Sequence, residues 1–415
     1  MALIVQKFGG TSVGNIERIK NVAQKVKKEI TAGNKVVVVV SAMSGETNRL
    51  VGFCEGVSNL VSPESLREYD AVVSSGEYVT AGLVALELQS IGIPAKSMSG
   101  WQLPIITETD HSKARIESIE TARILNELKT KVIVVPGFQG VTSEADPLDR
   151  SVTTLGRGGS DTSAVAIAAA LGADRCDIFT DVDGVYTSDP RIVPKARKLR
   201  KIGYEEVLEM ASLGAKVLHS RCVELAMKYK VRTQVLSSFE DVEGTQLVEE
   251  EEVVERRLIT GVTYSRNDAQ VTLIGVENTP GVAAKIFGPL ADAGVNVDMI
   301  VQNVSKEDKK ADVTFTVAKT DITRAEEALK KSGLKYDEFY KNTAVVKVSV
   351  IGVGMRSHAG IAQKMFETLA LKGINIHVIA TSEIKISVLI DEEYLELAMR
   401  SLHTVYGLDA DDQKA

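Results

Sequence analysis

Two short segments of this chain set cationic side chains against glycine-flanked backbone, which is the combination that anion chemistry needs. The first, KFGGTSVGN from Lys7 to Asn15, follows a β-branched run and precedes a helical pattern. Glycines let backbone N–H groups approach an anion, a helix start points further N–H groups at it, and Lys7 supplies compensating charge. The second, TTLGRGGSDTSA from Thr153 to Ala164, sets Arg157 among Gly156, Gly158 and Gly159, with Ser160, Asp161 and Thr162 opening the strongly helical AVAIAAALGA. A guanidinium at such a place suits a planar carboxylate or a phosphate, because its fork donates two parallel hydrogen bonds. Neither segment is a Walker A loop, which needs G-x-x-x-x-G-K-[ST], so a P-loop nucleotide hydrolase is excluded. A plain structural reading stays open for both. The first would be a strand-to-helix turn; the second would be a Ser or Asp N-cap beside a surface arginine, which leaves the flanking glycines unexplained.

Such groups need a rigid scaffold. LIVQKF, KVVVVVSAM, KVIVVPGF and CDIFTDV are apolar runs bounded by Gly and polar turns, read as strands buried on both faces, with amphipathic stretches such as Asn15 to Ile30 as helices between them. That is α/β architecture. TDVDGVYTSDPR then places Thr180 and Asp181 at a strand's C-terminal end, where α/β sheets gather ligands, although its DG and DP pairs serve equally well as turns. His219, in LHSRCVE on a helical stretch, reads as a structural or supporting group.

At 415 residues the chain exceeds what one core organises, so two or three domains are expected. Hydrophobic residues at 44% and charged residues at 25% fit a soluble globular protein. A net charge of -7 without a Lys/Arg tract argues against a nucleic-acid partner. Cys54, Cys176 and Cys222 form no Cys-x-x-Cys pair, so neither zinc nor a disulfide framework is suggested, and they read as thiols of a reducing compartment. The N-terminal apolar stretch is short for a signal peptide and no apolar run reaches the ~18 residues of a membrane span, so the expectation is a cytoplasmic protein without a membrane partner.

The charge-dense EGTQLVEEEEVVERR, 243–257, reads as a solvated linker. Beyond it lies an internal repeat. IGVENTPGVAAKIFGPLADAGVNVDMIVQNV from Ile274 matches IGVGMRSHAGIAQKMFETLALKGINIHVIATSE from Ile351. Each has a strand, a glycine turn (Gly281, Gly360), a helix with Phe287 and Leu290 or Phe366 and Leu369 inward, a capping Gly294 or Gly373, and a strand carrying Asn296 or Asn375. DVTFTV or KISVLI and a second helix, Ile322 to Lys331 or Glu392 to His403, complete a β-α-β-β-α-β order, the ferredoxin-like plan.

These repeats resemble a tandem of ACT domains, which commonly bind amino acids where the first strand turns into the first helix. KFGGTSV, SAMSGETN, SSGE, GRGGSD and TDVDGVYTSDPR occur in the order found in the aspartate kinases of the amino-acid kinase family. The resemblance implies a three-layer αβα amino-acid kinase fold followed by two ferredoxin-like ACT domains. The catalytic domain would span 1–245, a linker 246–264, and the ACT domains 265–342 and 343–415. It implies transfer of the γ-phosphate of ATP to the β-carboxylate of L-aspartate, the first step toward lysine, threonine and methionine, with feedback by end products. That carboxylate, with a pKa of ~3.9, is ionised already and needs no general base. What the reaction needs is relief of anion repulsion and in-line positioning.

The resemblance also assigns residues. Lys7, Arg157 and Asp181 would be catalytic. Lys7, Phe8, Gly9, Gly10, Ser41, Gly45, Thr180, Asp181, Tyr186, Arg191, Lys216 and Val217 would bind ATP, with Mg2+ bridging its phosphates and no dedicated protein metal cluster. Thr47, Glu77, Arg157, Gly158, Gly159 and Ser160 would hold aspartate, Glu77 facing its ammonium and Arg157 its α-carboxylate. Lysine or threonine would bind at Asn278, Thr279, Pro280, Gly281, Val282, Ala283, Asn296, Val297, Asp298 and Gln302 in the first ACT domain, and at Ile361, Ala362, Asn375, Ile376, Ser382 and Glu383 in the second. A homodimer or higher oligomer through the ACT domains is implied. Two departures stand out: Ser220 replaces a common proline, and Asn278 replaces a common acidic residue of the effector loop. The stretch 143–151 has no assigned role. The rival readings are a kinase of glutamate, acetylglutamate, carbamate or a nucleotide, and an amino-acid sensor with an inert kinase half.

Overall fold

The computed structural model describes all residues except 145, 147, 213–216, 250–257, 305–309, 357, 359 and 411–415. The chain forms two compact units. The first holds 1–185, 198–212 and the described part of 216–254; the second holds 186–197 and the described part of 255–415.

In the first unit the elements run β1 (Leu3–Phe8), α1 (Ile16–Thr31), β2 (Lys35–Val40), α2 (Glu46–Val57), α3 (Pro63–Val73), α4 (Ser75–Ser90), β3 (Ala95–Ser97), β4 (Ile105–Thr107), β5 (Ile116–Ile119), α5 (Ala122–Glu127), β6 (Val132–Pro136), β7 (Gln139–Val141), β8 (Val152–Thr154), α6 (Gly159–Leu171), β9 (Arg175–Thr180), β10 (Lys201–Gly203), α7 (Tyr204–Ser212), α8 (Ser220–Tyr229), β11 (Thr233–Ser237) and β12 (Thr245–Val248). The main sheet has the order β10-β12-β11-β9-β1-β2-β6-β3, and β5-β4-β7-β8 form a smaller one. The run Val36–Val40 is buried on both faces, each valine worth about 1.5–3 kcal/mol of burial. α1 starts at Asn15, whose side chain accepts from Arg18 N, and turns Ile19, Val22, Ala23 and Val26 inward at helical spacing. With α4 it covers one face of β1, β2 and β6, while α6 packs on β1 and β2 from the other side, with α8 against it.

The run Pro63–Ser90, α3 plus α4, is the one helical stretch among the described residues long and apolar enough to cross a membrane by length and composition. Its apolar residues Ala81, Val84, Ala85 and Leu88 lie in the core, and it buries Asp70 and Glu77. The strands β3, β6, β2, β1, β9 and β11 are all parallel. Register pairs Phe8 with Val40 and Phe179, Val40 with Pro136, and Thr180 with Ser237. Their C-terminal ends therefore form one edge.

The second unit contains β13 (Gly261–Ser265), β14 (Asp268–Glu277), α9 (Val282–Asp292), β15 (Val297–Val304), β16 (Lys310–Ala318), α10 (Ile322–Lys331), β17 (Glu338–Asn342), β18 (Val345–Ile351), α11 (Ile361–Leu371), β19 (Val378–Thr381), β20 (Lys385–Asp391) and α12 (Leu395–Val405). Its sheets run β15-β16-β14-β17 and β13-β18-β20-β19. The repeat is visible in the backbone. Gly281 and Gly360 have φ of 89° and 95° at the starts of α9 and α11, and Gly294 and Gly373 have 67° and 69° beyond their ends, values a residue with a Cβ rarely adopts.

Three boundaries differ from the sequence reading. β12 completes the first sheet beyond residue 245. β13, inside the stretch read as linker 246–264, pairs with β18 and takes the place of a fourth strand in the second ACT sheet, so the first ACT domain is inserted between strands of the second. Residues 186–197 belong to the second unit, where Ile192 and Val193 enter its core and Arg400 Nε donates to Ile192 O at 2.8 Å. Local periodicity cannot reveal either of the last two, because the partners lie far along the chain.

Candidate active site

Lys7 is the penultimate residue of β1 and only 8% exposed. Its Nζ lies 2.5 Å from Asp161 Oδ1, with both side chains about nine-tenths buried. Asp161 stands in the first turn of α6, where the helix dipole favours a carboxylate. A Cβ on Gly9 would sit 3.2 Å from Lys7 Nζ, and one on Gly10 would sit 3.0 Å from Ala42 O. The two glycines thus leave room for the ammonium and let the loops after β1 and β2 touch. Ser41 N donates to Phe8 O at 3.0 Å, and Gly9 N to Phe179 O at 3.2 Å.

Glu77 opens α4 and is 3% exposed. Its Oε1 accepts from Ala42 N at 3.0 Å, while its Oε2 has no hydrogen-bond partner among the described residues. Burial pushes this carboxyl up to about 7, against the opposing pull of the Ala42 N–H. The approach requires Gly76, since a Cβ there would lie 2.8 Å from Ala42 Cβ. Gly45, at φ 85°, is the N-cap of α2 and puts Thr47 in that helix's first turn. Glu77 Oε2 is therefore a buried acceptor without a partner among the described residues.

The arginine loop runs from β8 into α6. Its N-cap is Gly158 at φ 72°, so neither Ser160 nor Asp161 caps this helix. Arg157 is exposed and makes no hydrogen bond or ion pair among the described residues, which leaves its fork available. Ser160 packs close to Gly137, where a Cβ would meet Ser160 Cβ at 2.9 Å, and Gly159 lies against Phe138. The His219 ring closes over Gly158: a Cβ there would meet it at 2.3–2.5 Å. Burial pulls the His219 imidazole below its usual range. Gly158→Ala should therefore push His219 aside and strain a left-handed position, costing about 2–4 kcal/mol. A melting temperature unchanged from the parent chain would contradict that packing.

Thr180 and Asp181 lie at the end of β9, Thr180 Oγ1 donating to Asp181 Oδ1 at 3.2 Å. The Phe8 side chain is fully buried and stacks on Phe179 with centroids 4.6 Å apart, so only its backbone faces the loop. Tyr186 and Arg191 belong to the second unit, where Arg191 donates to both Asp189 oxygens at 3.0 and 2.8 Å. Val217 is half-buried in the turn before α8, and Lys216 lies outside the described residues. No group of three His, Cys, Asp or Glu that could hold a metal occurs among the described residues. Two residues were missed by the sequence reading. Asp161 was legible only as a possible cap, and Asp70, fully buried on α3, gave no signal at all.

In the second unit a hollow of about 460 Å³ is lined by Asn278, Thr279, Pro280, Gly281, Val282, Ala283 and Gln302, with Gln302 Nε2 donating to Asn278 Oδ1 at 3.4 Å. Seven of the expected effector contacts thus come together. Asn296 is exposed and Val297 is half-buried, and Asp298 instead pairs with Lys347 at 2.9 Å. In the second repeat Ile361 is core, Ala362 and Ile376 pack against it, and Asn375 and Glu383 are exposed. Ser382 N donates to Lys385 O at 2.8 Å.

A model of the amino acid kinase family matches residues 2–237, and ACT domain models match 270–333 and 348–406. An aspartokinase of Pseudomonas aeruginosa is 55% identical over 415 residues, which is 99% of this chain and 98% of that protein. The structure of E. coli aspartokinase III in complex with aspartate and ADP, in its R-state, superposes with a TM-score of 0.81 at 26% identity, covering 97% of this chain and 99% of that one. The same enzyme with lysine and aspartate, in its T-state, gives 0.77 at 25% identity and the same coverage.

Proposed function

The chain belongs to the amino acid kinase family as an aspartokinase with two ACT domains, and from that premise we propose that it transfers the γ-phosphate of ATP to the β-carboxylate of L-aspartate, giving 4-phospho-L-aspartate and ADP. The observation that carries this reading is the pair of unused charges, the Glu77 Oε2 and the Arg157 guanidinium. Opposite in sign, they suit the ammonium and α-carboxylate of an amino acid, and E. coli aspartokinase III binds aspartate with ADP.

The attacking carboxylate is already an anion, so the protein's task is to bring two anions together. Lys7, held by Asp161, neutralises charge at the transferring phosphoryl; the Gly10 N–H approaches it with no Cβ in the way, while Gly9, its own N–H on Phe179 O, leaves room for the ammonium. Arg157 and Glu77 orient the amino acid, with Thr47, Gly158, Gly159 and Ser160 beside them. Thr180 and Asp181, together with Lys216 and Val217, would hold the nucleotide. Mg2+, carried mainly by phosphate oxygens and water, would offset triphosphate charge. The test is an assay trapping the acyl phosphate with hydroxylamine. ADP and hydroxamate should appear with ATP and aspartate and stay near background with glutamate; equal or greater turnover of glutamate would overturn the choice of acceptor.

Lysine and threonine are the proposed effectors, bound first at the Asn278–Ala283 hollow; E. coli aspartokinase III binds lysine in its T-state. Inhibition follows only if the effector prefers one arrangement, since equal affinity shifts nothing. Truncation near residue 250 is a poor test, because it strips Ile192 and Val193 of their core. Asn278→Asp is better: a carboxylate in that hollow should tighten lysine inhibition by about tenfold, some 1.4 kcal/mol. Unaltered lysine titrations would place the ammonium elsewhere. Ile300, Val304 and Ile379 are exposed on β15 and β19, consistent with association through the ACT sheets. A cytoplasmic role at the start of lysine, threonine and methionine synthesis completes the proposal.

A further inference from the structure

Asp70, in the last turn of α3, is 0% exposed, and its carboxylate is crowded by donors. Oδ1 accepts from Thr154 Oγ1 at 2.5 Å and from Ser112 N at 3.1 Å. Oδ2 accepts from Thr154 N at 3.1 Å and Ser112 N at 3.0 Å, and lies 2.8 Å from His111 Nδ1. An acceptor-only group saturated in this way fixes every segment that donates to it.

Those segments form the base of the arginine loop. Thr154 ends β8, and its carbonyl accepts from Ala114 N at 2.9 Å. Leu155 N donates to Phe138 O at 2.8 Å, and Leu155 O accepts from Arg221 Nη1 at 2.6 Å. Gly156 then turns at φ 75°, so near the 112–113 segment that a Cβ would lie 3.2 Å from Ser112 O. Ser112 itself sits at φ 69°, a conformation uncommon outside glycine, with its N–H on Asp70. Arg157 has no partner of its own among the described residues, so its fork points where the two ends of this loop direct it. The rear end is the start of α6. The front end is Thr154 and Ser112, both held by Asp70.

We propose that Asp70 is a positioning residue for the amino-acid substrate, its carboxylate fixing the loop that aims Arg157 at the substrate's α-carboxylate. This rests on the assignment of Arg157 given above. It also gives the helical run α3–α4 a single purpose: Glu77 on α4 meets the ammonium, and Asp70 on α3 sets the place of the arginine. The spacing of the two recognition charges is then built into one element.

The test measures KM separately for aspartate and ATP, with kcat, in Asp70→Asn, Thr154→Val, Thr154→Ser and Arg157→Ala. Asparagine turns one acceptor into a donor facing donors. Asp70→Asn should raise KM for aspartate about tenfold or more, with KM for ATP moving less than about twofold. Thr154→Val, which keeps the shape and deletes one donor, should move KM the same way by a few-fold, and Thr154→Ser should restore it. If both substrates' KM values shift together, or only the melting temperature falls, Asp70 is merely structural and the proposal fails. If Asp70→Asn does not fold, Thr154→Val against Thr154→Ser decides. Arg157→Ala separates the two levels: an unaltered KM for aspartate there overturns the arginine assignment, whereas a raised one beside a normal Thr154→Val overturns only the role of Asp70.

Discussion

Lys7→Met is expected to lower kcat by about three orders of magnitude, a loss of roughly 4 kcal/mol of transition-state stabilisation. The side chain is almost fully buried at the end of β1, and among the described residues its one ion pair is with Asp161. A cation held in a desolvated position needs no reorganisation when the γ-phosphoryl moves, which makes its contribution larger than that of a surface lysine. The variant has a second effect, because methionine strands the Asp161 carboxylate in a site where its own side chain is 13% exposed. Removing one partner of a buried pair costs about 3–5 kcal/mol of stability, so lost activity alone would be ambiguous. The double variant Lys7→Met/Asp161→Asn resolves this. It removes the stranded charge and should regain most of the melting temperature while kcat stays low. Hydroxamate formation and thermal melts on the same samples give both readings. If activity returns together with stability, Lys7 is a structural cation and the phosphoryl site lies elsewhere.

The parts of this molecule that were legible in the sequence are those whose signal is local. The strand runs, the Lys7 and Arg157 loops, and the paired glycines 281/360 and 294/373 all announce themselves within a few residues, and the backbone shows why: the four capping glycines have positive φ. Illegible features depend on partners distant in the chain. β13 looks like linker because its ladder partner β18 lies far along the chain. Ile192 and Val193 look like a turn's apolar residues because their core is built from residues 259–408. Asp70 sits in LREYDAVV as one more polar residue on an amphipathic helix, and its donors come from the 111–112 segment and from β8. Asp161 was visible but gave no sign of its partner, since an acidic residue after Gly-Gly-Ser at a helix start also suits a cap. The actual cap is Gly158, which frees that carboxylate to hold Lys7.

Glu77→Gln should weaken aspartate recognition while stabilising the protein at alkaline pH, an opposite movement that few residues would produce. Burial raises this carboxyl from the usual 4.5 to about 7. The folded state therefore holds its proton more tightly than the unfolded chain, and stability is highest below about 4.5, where both states are protonated. It falls as pH climbs through that value toward 7, and above 7 the folded protein carries a buried anion with one open oxygen, a penalty on the order of 3 kcal/mol. Glutamine removes that penalty, so at pH 8 the variant should melt several degrees higher in the absence of substrate. The substrate ammonium needs the ionised form. In the parent chain kcat/KM for aspartate should rise with pH through about 7, and in Glu77→Gln it should be lower by about a hundredfold and lack that inflection. The melting experiment and the pH profile test different halves of the claim. A stabilised variant that keeps its aspartate KM would leave Glu77 as a strained structural carboxylate and move the ammonium site off α4. A variant that loses aspartate affinity without gaining stability would mean that the open Oε2 is satisfied in solution, and that the ammonium exchanges with a partner already there.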